Sequence, residues 1–420
     1  MKICLITAFP PSRRGLSEYG YHIARELQAD PLLSLTVLAD RLEPALSGAE
    51  QSELADFEVR REWDFNSFRN PLRLLRTIRE LKPDVVWFNL LFSTFGDKPL
   101  QAFLGLAIPA LTRMQGVYTH VTLHHLMENI DLEHANVRMP ALYRTAGNLA
   151  TRMLLASNSV SVLLPAYRRT LMEKYGGQNV HFRAHGILSA RPEYPDFSRR
   201  GNPHRIVAFG KWGTYKRLEM LLQSFDSIAQ HIPHARLVIA GGNHPMTPGY
   251  VESIAESCKN DPRIEFTGYL AENDIPELFA SASCMVMPYS SATGSSGVAH
   301  LACEFGVPIV CANIPDFREM AQDEGLAVQF YQTGDAVSMA NAVVTLLNDP
   351  ARLHEMGVMN FYAALRQTMP QIMRQYLRSF SLAQKRKALE PMKRFRRIPQ
   401  WVPRRSSIFR AAAPRWEAWR

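Results

Sequence analysis

No CxxC pair occurs among the five cysteines of this 420-residue chain. Cys4, Cys258, Cys284, Cys303 and Cys311 stand apart, most of them inside apolar runs, as reduced core thiols do in a cytosolic protein. Uninterrupted apolar runs of the roughly 18 residues needed to span a membrane are missing. The nearest, PLQAFLGLAIPAL, is short and broken by prolines. The apolar run within MKICLITAFPPSRRG is too short for a signal peptide. These absences predict a cytoplasmic protein. There is no DxD-type carboxylate pair to hold a divalent ion, no internal repeat, and no low-complexity segment ahead of the C-terminal tail.

A charge excess in the folded body is lacking too. The chain carries +9, but residues 385–420 hold twelve Lys/Arg and two Glu, which leaves the remainder near −1. The basic balance is therefore a property of the tail. With 46% hydrophobic residues the rest of the chain is long enough for two well-buried cores.

What is present is an alternation. Short β-rich runs (KICLITAF, LSLTVLA, DVVWFN, VTLHH, SVSVLLP, then HRIVAFG, ARLVIAGG, IEFTGYL, SCMVMPY and VPIVCAN) are separated by helical patterns such as LSEYGYHIARELQAD, NPLRLLRTIRELKP and LEMLLQSFDSIAQHIP. Several runs are apolar on both faces, as buried parallel strands are. Strand and helix in alternation imply parallel sheets with right-handed crossovers. The Pro-, Arg- and Asn-rich stretch RPEYPDFSRRGNPHR (191–205) divides the series into two doubly wound halves of comparable size. A ligand is expected in the cleft where the carboxyl ends of the strands from both halves converge.

Four loops have the composition for chemistry there. In FPPSRRGLSEYG, Gly15 lets the backbone approach a ligand ahead of a helix start, or serves a plain strand-to-helix turn. His124 ends a strand in TLHHLMENID, placed to bond a sugar hydroxyl or to cap the sheet edge; neighbouring His125 faces the opposite side, so the pair is not a metal site. In VAFGKWGTYKRLEMLL, Gly210, Lys211 and Lys216 surround a strand-to-helix turn, which suits a diphosphate or a solvated basic turn. In SSATGSSGVAHLACEFG, Gly294, Ser295, Ser296 and Gly297 present amides and hydroxyls at the positive end of a helix dipole. A cap alone needs one serine, so this loop is read as a phosphate cradle.

On these residues the chain resembles a retaining glycosyltransferase of the GT-B fold, most like glycosyltransferase family 4, over most of residues 1–365. The family's Gly-Arg followed by Lys looks like Gly210, Lys211 and Lys216, with Lys211 replacing the Arg; the resemblance implies that the two cations hold the diphosphate of a nucleotide-sugar donor. Gly15 is similar to the family's N-terminal glycine loop. His124 falls on the His of an HD pair, with His125 in place of Asp. The family's two glutamates, eight positions apart, fall on Thr293 and Leu301; Glu304 lies one helical turn later. The resemblance implies an α/β GT-B architecture of two Rossmann-like domains facing each other across a cleft. Its parts are an acceptor-side domain (1–195), a donor-binding domain (203–365), a helix crossing back to the first domain (366–384) and a basic aromatic tail (385–420). It further implies transfer of a sugar with retention to a glycan or lipid-linked acceptor, as in surface polysaccharide assembly. Catalysis would come from charge stabilisation of the leaving diphosphate by Lys211, Lys216 and the Ser295–Gly297 amides, with His124 at the reacting sugar and no metal or other cofactor.

In the tail, arginines and lysines alternate with Phe395, Trp401, Phe409, Trp416 and Trp419. The pattern suits peripheral contact with an anionic membrane surface on its inner face. Nucleic-acid binding uses the same residue types, but no RNA or DNA module is visible, and a disordered solubilising tail is the third reading. Two other functions fit the fold: a sugar-nucleotide epimerase, for which no pair of acid/base carboxylates is found, and a non-catalytic GT-B partner docking through the tail, which the missing glutamates favour.

Overall fold

The computed structural model describes residues 1–43, 54, 56–129, 140–199, 204–244, 246–291 and 294–395. Two parallel sheets organise them. The first is built from β1 (Lys2–Ile6), β2 (Ser34–Asp40), β3 (Val59–Trp63), β4 (Val85–Leu90), β5 (Tyr118–Leu123), β6 (Ser159–Val162) and β7 (Val180–Phe182), in the order β3-β2-β1-β4-β5-β6-β7. The second is built from β8 (Arg205–Phe209), β9 (Arg236–Ala240), β10 (Ile264–Gly268), β11 (Cys284–Met287), β12 (Ile309–Ala312) and β13 (Val328–Tyr331), in the order β10-β9-β8-β11-β12-β13. Strand composition follows position. VVWFNL of β4, flanked on both sides, is buried at every residue, whereas the edge strand β3, VRREW, keeps its arginines and glutamate partly exposed.

Each sheet reverses its winding once. In the first, the chain moves outward from β1 on one side and from β4 on the other; in the second, the same happens at β8 and β11. At such a point the two flanking loops diverge and leave a crevice beyond the carboxyl ends of the strands, where α/β sheets hold their ligands. All four loops singled out in the sequence lie at these carboxyl ends.

The crossovers use α1 (Ser17–Gln28), α2 (Asn70–Leu81), α3 (Pro99–Met114), α4 (Pro140–Leu155) and α5 (Pro165–Tyr175) in the first half. The second half has α6 (Leu218–His231), α7 (Tyr250–Ser257), α8 (Ile275–Ala280), α9 (Gly297–Glu304), α10 (Pro315–Glu324), α11 (Ala336–Leu347) and α12 (Pro350–Leu365). The apolar run interrupted by prolines is α3: Pro99 sits in its first turn, where no N–H is needed, and Pro109 is carried inside the helix at the loss of one ladder bond. Among the described residues no helix is long and apolar enough to cross a membrane.

The helix expected over 366–384 instead spans α13 (Met369–Phe395), so the first eleven positions of the expected tail, 385–395, are helical. The rest of that tail lies outside the described residues. Just before α13 the chain meets the first half, where Ile187 N–H donates to the Gln367 carbonyl at 2.9 Å and Ile187 bridges Thr368. The chain divides into one compact unit, Met1–Gln375, and a second beginning at Tyr376, with α13 running from one into the other.

Gly241, just past β9, shows how tightly the second crevice is built. Its φ is +101°, and a Cβ there would lie 1.9 Å from the Gly210 carbonyl oxygen. Neighbouring Gly242 faces open space. Gly241→Ala is therefore expected to lower unfolding free energy by more than the about 1–3 kcal/mol of the backbone conformation alone, because the clash adds to it. Gly242→Ala should stay close to the parent. Urea unfolding of both variants checks this; equal losses would show that the approach of Gly241 to Gly210 is not a constraint.

Candidate active site

The loop from β8 to α6 is pinned on two sides. Trp212 is fully buried, and its indole Nε1–H donates to the Ala240 carbonyl at 2.9 Å. Trp212 N–H donates to the Gly242 carbonyl at 2.9 Å, tying the loop to the end of β9. Toward β11, Arg217 N–H donates to the Pro288 carbonyl at 2.9 Å and Ser290 N–H to the Tyr215 carbonyl at 2.8 Å. Held between these anchors, Lys216 lies at the β8/β11 reversal, its Nζ 4.9 Å from the centre of the Tyr289 ring and beside Gly210.

Burial pushes the Lys216 ammonium below its ordinary pKa, and among the described residues it has no carboxylate partner. A shielded cation without a counter-ion is costly unless an anion arrives. Lys211 is exposed. The two lysines also act on His244, after β9, whose pKa is lowered by burial and then by Lys216 and Lys211.

The loop from β11 to α9 distributes its donors unevenly. Ser296 is the N-cap, its hydroxyl accepting from Ala299 N–H at 3.3 Å. The Ser295 hydroxyl points at the Met320 sulfur, 3.9 Å away. Gly294 N–H donates to Asp316 Oδ2 at 3.3 Å, and Tyr167 OH from the first half donates to the same oxygen at 3.0 Å. Among the described residues that leaves the amides of Ser295, Ser296, Gly297 and Val298, at and just before the first turn of α9, for a ligand or solvent. Of the four residues of the expected cradle, Gly294 has its amide committed to Asp316, and the Ser295 and Ser296 hydroxyls are turned to Met320 and to the α9 cap. Thr293, one of the two positions where the resemblance places a glutamate, lies outside the described residues; Leu301 packs against the core.

His124 meets this loop. It follows β5, and a Cβ on Gly294, whose φ is +88°, would lie 2.5 Å from the His124 carbonyl oxygen. Only a residue without a side chain allows that approach. His124 is buried, its Nε2 is 2.7 Å from Asn89 Oδ1, and its ring meets Tyr19 edge-on at 5.1 Å. Because Asn89 Oδ1 accepts, the proton of neutral His124 sits on Nε2. Burial first, then His185 and His125, hold the ring well below its usual pKa. Gly15, past β1, faces Leu91 past β4, at the other reversal point. The loop that carries it is anchored by buried Asp40, which accepts from Phe9 N–H at 3.1 Å and from the Ser12 hydroxyl at 2.5 Å.

Sequence reasoning missed a second group of residues. His185, after β7, stacks on His300 of α9 with ring centres 5.1 Å apart, and Tyr19 of α1 lies 4.5 Å from His185. His300 Nδ1 is 2.7 Å from the Ser296 carbonyl and Nε2 is 2.7 Å from Glu324 Oε2. Burial opposes charge on His300, but Glu324 and the Ser296 carbonyl outweigh it, and the net pKa is raised. Tyr167 and Asp316 were missed too. Their separation of 149 positions leaves no sequence signal, while AHGIL around His185 offered one visible cue, an imidazole beside a glycine.

The fold has counterparts among known proteins. Residues 203–349 match the family described as glycosyl transferases group 1. The chain is 25% identical over 372 residues, 85% of its length and 91% of the relative's, to a GDP-mannose-dependent alpha-(1-6)-phosphatidylinositol monomannoside mannosyltransferase of Mycobacterium tuberculosis. Sucrose-phosphate synthase of Thermosynechococcus elongatus superposes with a TM-score of 0.72 at 16% identity, covering 91% of this chain and 98% of that one. Anabaena HepE in complex with UDP-glucose does so with a TM-score of 0.66 at 17% identity, covering 91% and 99%. The two reversal-point crevices and these likenesses define a glycosyltransferase of the GT-B fold. Its second half, residues 203–349, carries the glycosyl transferases group 1 domain. The epimerase and non-catalytic readings gain no support from these relatives.

The His300–Glu324 contact supports a pH-dependent prediction. Glu324→Gln removes the anion from a buried imidazolium and should lower unfolding free energy by about 3–5 kcal/mol near pH 6. A raised folded-state pKa contributes stability that is present at low pH and is lost as pH rises through that pKa. The gap between parent and variant should therefore narrow toward pH 9 in urea unfolding. A gap independent of pH would mean that His300 is neutral in the folded state.

Proposed function

We propose that the protein transfers a hexose from a nucleoside-diphosphate sugar to a glycan or lipid-linked acceptor, with retention and without a metal, and that the donor diphosphate binds at the β8/β11 reversal. The observation that carries this is Lys216: a shielded ammonium with no carboxylate partner among the described residues, on the strand-to-helix turn beside the loop that opens α9. Residues 203–365 are read as the donor side and 1–195 as the acceptor side, with 366–384 as the crossing back. Lys216 with the open amides of α9 would stabilise charge as it develops on the leaving diphosphate, with Lys211 adding a longer-range positive field. His124 would approach the sugar from the opposite half. Gly15 and Gly210 let backbone come close. Ser295 and Ser296 support the loop rather than each offering a free hydroxyl.

GDP-mannose is the first donor to test, because the mycobacterial relative is named as dependent on it, and that relative's lipid acceptor supports a lipid-linked one here. A thermal-shift screen with GDP, UDP, ADP and their sugars should show stabilisation by one nucleotide class, since a ligand of the folded state raises the melting temperature. Lys216→Met separates function from structure. It removes an unpaired, shielded charge, so the free protein should be as stable as the parent or more so, while nucleotide affinity and turnover should fall at least tenfold. A variant that binds nucleotide and turns over normally would move the donor site elsewhere.

The tail is read as a peripheral anchor on an anionic membrane face. Residues 396–420 hold seven Arg, one Glu and four large aromatics, and each basic residue near such a surface contributes on the order of 1 kcal/mol. Deleting 396–420 leaves α13 whole. The deletion should abolish co-sedimentation with phosphatidylserine-containing vesicles at low salt and leave nucleotide binding unchanged. Binding by the full chain should weaken as salt rises. Equal sedimentation of both forms would remove the membrane role.

A further inference from the structure

The first half of the molecule sends an imidazole to the start of α9. The Cε1–Nε2 edge of His185 lies 3.6 and 3.7 Å from the point that a Cβ on Gly297 would occupy. Its Nδ1 is 2.8 Å from the Gly186 carbonyl. A carbonyl only accepts, so Nδ1 carries hydrogen, and in the neutral ring Nε2 carries the lone pair. Tyr19 OH donates to the His185 carbonyl at 3.0 Å and the His300 ring stacks on the imidazole, which fixes its direction. Among the described residues Nε2 has no hydrogen-bond partner, and the residue is only partly buried.

A lone pair is the wrong group to turn toward an anion, and a proton on the same nitrogen is the right one. The surroundings call for an anion on two independent grounds: the open amides of Gly297 and Val298, and the unpaired ammonium of Lys216 in the adjoining crevice. We propose that His185 is a ligand of the donor diphosphate, contributed across the cleft by the first half, and that it binds in its protonated form, taking a proton from solvent onto Nε2 as the anion arrives. The proposal rests on the reading of this crevice as the donor site.

The groups around the ring agree with this sequence of events. They are Tyr19 and His22 of α1, His124 after β5, and His300 of α9, itself bonded to Glu324 of α10. None places a carboxylate directly on His185. Burial, then the charge of His300, keep the free ring neutral, pushed down to about 3. A multiply charged diphosphate at hydrogen-bond distance acts in the opposite sense and favours the charged ring. Binding would then also tie the two halves together, because the ligand touches Lys216 and α9 on one side and His185 on the other.

Calorimetric titration of the full chain with GDP and with inorganic pyrophosphate tests the proposal, from about pH 6 to about pH 8 in buffers of different ionisation enthalpy. The comparison is between wild type, His185→Gln and His185→Phe. Wild type should take up close to one proton more than either variant. Its affinity advantage should be at least tenfold at the acid end and shrink by up to about tenfold per pH unit as pH rises. Equal proton uptake and equal pH dependence in all three proteins would overturn the role of His185 and leave the Lys216 donor site standing. No binding of either ligand by wild type would overturn both. If the variants fail to fold by circular dichroism, the 15N shift of His185 Nε2 in wild type decides. It should move to the protonated range on adding pyrophosphate, and an unchanged shift would refute the proposal.

Discussion

The Asp316 carboxylate is the contact on which the arrangement of this site depends. It comes from the first turn of α10, accepts from Tyr167 of the first half, and accepts from the Gly294 amide of the α9 loop. Three segments distant in sequence are thereby held at one oxygen. Glu319, one turn later, adds to the same seam by accepting from Ala166 N–H at 2.8 Å and pairing with Arg169. The first of these satisfies an orphan amide at the start of α5, so the seam also caps a helix. With Gly294 fixed there, its backbone closes on the His124 carbonyl, and the start of α9 comes to face His185. Of the two bonds to Asp316, the one from Tyr167 joins the first half to the seam, while the one from Gly294 holds the loop within the second.

Electrostatics at the crevice run in one direction. Lys216, Lys211, His244 and the amides of α9 are all positive or donor groups. The nearby carboxylates are committed elsewhere: Asp316 to the seam and Glu324 to His300. Such an inventory is complementary to the diphosphate proposed to bind there. The same disposition explains the neutral histidines. Among the described residues neither His124 nor His185 has a carboxylate of its own, and burial among other imidazoles holds both below the usual imidazole range, so neutral rings are their resting form. The site stores unfavourable solvation that a bound anion would relieve.

The fold was legible because its signal is local. Buried parallel strands are apolar on both faces, and β1, β2, β4, β8, β9, β11 and β12 read as such. The strands that escaped, β3, β7 and β13, are short or edge elements whose polar residues, such as Arg60 and Arg61, dilute the pattern. Legibility of the site splits along the same line. Lys216 and the α9 loop stand in unusual local sequence, so they could be picked out. The loop's density of Gly and Ser, read as a row of phosphate donors, also has structural uses: Gly294 for close approach, Ser296 for capping, Gly297 for proximity to His185. The Asp316–Tyr167 contact and the His185–His300 stack depend on the meeting of two sheets, which no window of sequence reports.

The absence of a glutamate at position 301, where the resemblance places one, has a consistent physical reading in the fold. Position 301 is leucine and packs into the core; position 300 is the histidine that takes the Glu324 carboxylate from α10. The acid thus comes from the end of α10, where it is buried and committed to an imidazole of α9. On the proposed reading of the crevice as a diphosphate site, a carboxylate facing it would act against the anion and pair with Lys216. Kept behind His300, the same negative charge holds a positive ring under the Ser296 carbonyl and stiffens the loop from below.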